Sequence, residues 1–162
     1  MATNLYAPPK SKVADIIEGE AAPSLWNPGA AASWSLVFSP VFGAFLHMKN
    51  WEVLGEADKA AAAKKWVAIS VATFIVFVMA AVVLPHNKTI PALLRLCGIG
   101  LLLTWYYASG KPQMDFVKSR YGKDYPRKGW LQPILIALGV IIGFIFVAGA
   151  IGGVAAVLLR RA

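Results

Sequence analysis

Apolar positions in this chain run in long blocks, and the polar residues gather in the stretches between them. Such blocks read as buried or membrane-embedded helices, not as the period-two alternation of half-buried strands. No Gly or Pro lies between Glu56 and Leu84. A continuous helix there would reach roughly 43 Å at 1.5 Å per residue, longer than a hydrocarbon core. Its first part, rich in Ala60–Ala63, is expected to stand in water, led by Glu52, Glu56 and Asp58 and trailed by Lys64 and Lys65. The predicted span is 66–84. After a turn at 85–88, Thr89 is placed to cap a second helix that admits Pro91 in its first turn. That span is expected over 90–108. A third uncharged block runs over 130–159 and closes on Arg160 and Arg161. It is too long for one upright crossing and too short for two, so a long or tilted helix is predicted, or one bent at its glycines.

The N-terminal third is less regular. Residues 1–30 form a polar tail punctuated by Pro8, Pro9, Pro23 and Pro28, with a short helical turn expected at Val13–Glu18. Residues 29–48 carry no Asp, Glu, Lys or Arg, but Pro40 and Gly43 fall in the middle. An interior proline removes one helical hydrogen bond and clashes with the preceding turn. Residues 31–48 are therefore expected as a broken, interfacial or re-entrant segment, with a fourth crossing as the alternative. The predicted fold class is all-α: a helical membrane domain over 31–162 with three transmembrane helices and that broken segment.

Composition agrees with this pattern. Of 162 residues 58% are hydrophobic and 15% charged, against roughly 45–50% and about 25% in soluble domains. The net charge is +8. The basic residues flank the apolar blocks, which suits an orientation signal better than a nucleic-acid surface, so no nucleic acid is expected as a partner. Segments 49–65 and 109–129 carry four and six Lys or Arg respectively, while 85–89 carries Lys88 alone. The positive-inside rule places the two rich segments in the cytoplasm. Residues 111–128, interleaved with Phe116, Tyr121 and Tyr125, suit contact with anionic lipid, with a plain solvated connection as the alternative.

Candidate chemistry is sparse. Cys97 stands alone, so neither an intramolecular disulfide nor a multi-cysteine metal site is available. His47 and His86 lack companions at metal-ligand spacing, and no nucleophile elbow or phosphate loop occurs. No catalytic, cofactor or metal residue is expected. The first twenty residues show no apolar core after a basic start, so no cleavable signal is expected, and Ala2 does not fit the myristoylation pattern. Trp66, Trp105 and Trp130 lie near the proposed helix ends and are expected at headgroup depth. Arg95, about six residues into its span, is expected to snorkel to the outer interface or meet a lipid phosphate; a bond to a neighbouring helix or a place on a transport path are the alternatives. The third block holds two GxxxG spacings, with Gly139, Gly143, Ala150 and Gly153 close to one face. Small residues at that spacing let another helix approach, either from the same chain or from a partner or second copy through residues 139–153.

The run from Trp34 through Pro40 to Phe45, closing at Asn50-Trp51, resembles uncharacterised small bacterial inner-membrane proteins that begin with an aromatic-rich apolar stretch. Asn4–Pro9 is similar to a short N-terminal motif of several bacterial membrane families. The resemblance implies a bacterial source and a small helical membrane domain, and it supplies no site. The function expected is that of a non-catalytic accessory, scaffold or interaction subunit. The alternatives are a small transporter or channel subunit, and an immunity-type protein against a membrane-active toxin.

Overall fold

A computed structural model of the chain describes residues 22–84 and 88–161; for Val82, Ala148 and residues 151–161 it describes the backbone alone. The tail up to residue 21, with its expected helical turn, His86 and the side of the C-terminal block that carries Gly153 lie outside the described side chains. Among the described residues the architecture is all-helical, with no strand beyond one bridge between Leu25 and Arg127.

The broken segment resolves into two short helices, α1 (Pro28–Phe38) and α2 (Pro40–Val53). Asn27 starts α1, its side-chain oxygen accepting from the backbone N–H groups of Gly29 and Ala30. Ser39 separates the helices, with φ 106° and ψ 161°, and Pro40 opens α2 with the fixed φ a first turn needs. The two helices pack against each other as a hairpin. At 11 and 14 residues they extend roughly 16 and 21 Å, short of the ~30 Å hydrocarbon core. The two open ends of the hairpin lie at the same end of the pair. The Ser39 corner occupies a backbone region that is essentially reserved for glycine and costs about 1–3 kcal/mol. Ser39→Gly is expected to stabilise the fold by about 1 kcal/mol, seen as a higher melting temperature in detergent by circular dichroism.

Gly55, at φ 73°, closes α2 in the left-handed conformation and turns the chain into α3 (Ala57–Val83). The uninterrupted 57–83 stretch is one helix, as its lack of breakers predicts. α4 (Thr89–Trp105) begins at Thr89 itself, with Lys88 in the capping position and no side-chain cap bond, so Thr89 is the first helical residue and not the cap expected.

The polar stretch after 108 departs from expectation. It is not a loop: a π turn over Tyr106–Gly110 carries α4 directly into α5 (Lys111–Tyr121). Pro112 lacks an N–H and crowds the carbonyl of the preceding turn. The wider π turn before it absorbs that conflict, and the helix continues to Tyr121. Among the described residues two helices are long and apolar enough to cross a membrane, α3 over Ala57–Ala81 and the continuous Thr89–Tyr121 helix. α6 (Leu131–Arg161) follows a short linker, its described apolar run being Leu131–Val147.

The core joins the α1–α2 hairpin to α3 and to the α4–α5 rod, with α2 packed most extensively along α3. Trp51, Ala60 and Ala63 are buried there, with Met48, Leu54 and Phe116 packed around them. Residues 22–27 also belong to this structure and not to a tail. Leu25 is fully buried, its N–H donates to the Pro126 carbonyl at 3.0 Å, and its carbonyl accepts from the Lys128 N–H at 2.9 Å.

Candidate functional site

Polar side chains that a membrane helix would normally avoid are concentrated at the open end of the hairpin. His47, Asn50 and Gln113 are each fully buried. Asn50, on the last part of α2, bonds the backbone of Trp26 in both directions: its Oδ1 accepts from the Trp26 N–H at 3.0 Å, and its Nδ2 donates to the Trp26 carbonyl at 2.8 Å. The same Nδ2 lies 3.3 Å from Gln113 Oε1. Gln113 Nε2 in turn donates to the His47 carbonyl at 2.8 Å. His47 Nε2 lies 3.1 Å from the Pro28 carbonyl, where a protonated Nε2 donates. One cluster thus ties the start of α1, the end of α2 and α5 together, and buried polar groups satisfied this way fix a single arrangement.

Trp105 roofs this cluster. It is fully buried, its ring 5.4 Å from that of His47 in an edge-on pair. This corrects the expectation of a headgroup anchor at Trp105: the indole faces protein, because Gly43 opens the room for it. A Cβ at Gly43 would stand 2.5 Å from Trp105 Cη2 and would also strike Ser35 Oγ. Trp105 Nε1 and His47 Nδ1 are buried without a hydrogen-bond partner among the described residues. Burial lowers the His47 pKa to about 4, against the opposing pull of the Pro28 carbonyl, so the ring is neutral near pH 7.

Around this base lie basic and aromatic side chains. Lys59 Nζ sits 4.2 Å from the Phe116 ring centroid and 4.8 Å from that of Trp51, an arrangement that shields an apolar surface with a cation. Lys128 Nζ lies 4.4 Å over Trp26, whose Nε1 donates to the Gly129 carbonyl at 3.1 Å. Burial raises the Tyr125 pKa, with neighbouring Arg127 pulling it back.

The other residues singled out from the sequence are dispersed. Trp66 is half-buried on α3 directly after Lys64 and Lys65, and Trp130 is half-buried at the start of α6, its carbonyl accepting from the Ile134 N–H. Arg95 is exposed on α4, ten residues before Trp105. Gly139 and Gly143 are helical, and a Cβ at either would meet nothing within 4 Å. Ala150 is exposed. The expectation that this face packs on helices of its own chain is therefore not met at those two glycines. α6 touches α3 instead through Phe74 and Phe144, ring centroids 5.2 Å apart. No group of three or more His, Cys, Asp or Glu side chains placed to hold a metal occurs among the described residues.

Asn50 and Gln113 are the members sequence reasoning missed. Asn50 falls in the polar stretch expected to stand in water, and Gln113 in the one expected on anionic lipid or as a solvated connection. The one available signal is the spacing of Trp105, Ser109, Gln113 and Val117, all buried at steps of four on one continuous helix. In a regular α-helix such steps drift by about 40° each, and the π turn takes up part of that drift. The chain matches no protein-family model, no curated protein and no solved structure.

Proposed function

We propose that this protein is a non-catalytic, multi-pass integral protein of the bacterial inner membrane that serves as an accessory, scaffold or interaction subunit of a membrane assembly. The observation that carries this reading is the glycine strip of α6, a helix exposed all round over 138–147. Ile136, Val140 and Ile142 beside the glycines are more than half exposed, and among the described residues nothing lies within 4 Å of where a Cβ at Gly139 or Gly143 would stand. In lipid, helix association depends on close packing and small residues, and this strip offers both to a helix of a partner or of a second copy. In the same reading α6 is the third crossing. The hairpin enters and leaves on the cytoplasmic side, where the Lys and Arg of segments 49–65 and 109–129 meet the anionic leaflet. No residue is assigned a catalytic role.

Two differently tagged copies expressed together, cross-linked in native membranes and then sized in gentle detergent, test the reading. Wild type is expected to run larger than a single chain, carrying either the second tag or a reproducible partner. Gly143→Leu should reduce that species at least tenfold while its melting temperature stays within about 2 °C of wild type, since a Cβ there meets no described residue within 4 Å. Ile142→Leu, an apolar swap of similar volume, should change neither. A wild-type protein that is a lone chain in the membrane, or an unaffected Gly143→Leu assembly, contradicts the reading.

A further inference from the structure

Two adjoining cavities flank the hairpin on the side facing α4 and α5. The first, of about 220 Å³, is apolar and runs along α1 and the end of α4, lined by Ala32, Leu36, Leu102 and Leu103. The second, of about 280 Å³, lies at the open end of the hairpin, where Lys118, Lys123 and Arg127 outnumber Asp115. Gly29 and Met114 line both, so the two are continuous. Together they reach the volume range of small-molecule sites, roughly 300–1,000 Å³.

We propose that this groove holds one anionic phospholipid, its phosphate among Lys118, Lys123 and Arg127 and an acyl chain along Leu36, Leu102 and Leu103. The proposal rests on the membrane reading above and adds a defined site to it. Charge complementarity selects the occupant. Neither ion pair among the described residues involves these three cations; the pairs are Lys49–Glu52 and Lys59–Glu56. Arg127 donates to the Lys123 carbonyl at 3.3 Å and lies over the Tyr125 ring, which holds the guanidinium at the mouth while leaving its charge without a carboxylate. The N–H groups of Gly29 and Ala30 are already taken by Asn27 Oδ1, so the side-chain cations, and not the start of α1, supply the attraction. The order of the halves also fits a bilayer. The basic cavity lies at the end of the molecule that carries the Lys- and Arg-rich segments. The apolar one extends from Gly29 toward Leu36, in the direction of the hairpin corner.

The test is native mass spectrometry of the full chain in detergent. It is titrated with phosphatidylglycerol, with phosphatidylcholine of the same acyl chains, and with glycerol 3-phosphate. One phosphatidylglycerol per chain is expected to bind at least tenfold tighter than phosphatidylcholine, and glycerol 3-phosphate should neither bind detectably nor displace it. The triple variant Lys118→Gln, Lys123→Gln, Arg127→Gln should abolish the preference between the two lipids. Ser33→Trp, which fills the apolar half, should weaken both by at least fivefold. All four positions are exposed, so unchanged melting curves are expected and are measured alongside. Equal retention of the two lipids, or glycerol 3-phosphate binding as tightly as the lipid, overturns the site. A need for detergent to extract the protein from membranes tests the membrane reading separately.

Discussion

Gly43→Ala is expected to destabilise the protein by more than about 3 kcal/mol, lowering the melting temperature by roughly 10 °C or preventing accumulation of folded chain. The added methyl would stand 2.5 Å from Trp105 Cη2 and closer still to Ser35 Oγ. Both neighbours are held in place. Trp105 is fully buried and braced edge-on by His47, and Ser35 is held by its bond to the Ala31 carbonyl. Overpacking at such a point forces the hairpin away from α4 and opens the polar cluster beneath. Gly100→Ala is the matched control, because it also sits in a helix and meets nothing within 4 Å; it should be neutral or slightly stabilising through helix propensity. Circular dichroism melts of both variants in detergent make the comparison. A Gly43→Ala protein as stable as Gly100→Ala would contradict the packing described.

Acidification should weaken the fold between pH 6.5 and about 4. His47 is fully buried and neutral, with its pKa lowered from 6.5 to about 4. In that window the unfolded chain binds a proton that the folded chain refuses, so stability rises with pH. The contribution is complete above pH 6.5, falls as pH drops toward 4, and is lost below that value. Its size is on the order of 3 kcal/mol. His47→Gln should start from a lower stability, since the ring contact with Trp105 is lost, but show a flatter slope across the same window. Equal slopes for wild type and variant would remove His47 as the cause.

Much of the helical layout was legible because it depends on local features. The stretch from Ala57 to Val83 has no breaker and forms one helix. Pro40 announced a break, and the break falls immediately before it, at Ser39. The end of the second apolar helix was not legible. Ser109-Gly110-Lys111-Pro112 carries the usual punctuation of a helix end, yet the helix runs on because a π turn accommodates Pro112 and the hairpin holds Gln113 and Val117 from the other side. Trp105 obeyed the compositional rule for interfacial aromatics but is buried, since the space for it is created by a glycine 62 positions earlier. Asn50 and Gln113 depend on a contact across 63 residues; the four-residue steps from Trp105 to Val117 mark the Gln113 side of it, and nothing local marks Asn50. The glycine spacing of α6 was visible from the start, and the structure adds that no described residue covers Gly139 or Gly143.

In the proposed function the hairpin enters and leaves one side of a membrane, together with both basic segments. Site-directed thiol labelling tests it most directly. Single cysteines are placed at Ser24, Lys59, Lys88 and Lys118 in a Cys97→Ala background and exposed to an impermeant maleimide on intact spheroplasts. Ser24 lies next to Leu25, which is bonded to the linker before α6, so it reports the side on which the hairpin begins. Labelling is expected at Lys88 alone, with Ser24, Lys59 and Lys118 reacting only after permeabilisation. Labelling of Ser24 from outside, or of Lys59 or Lys118 without permeabilisation, would contradict it.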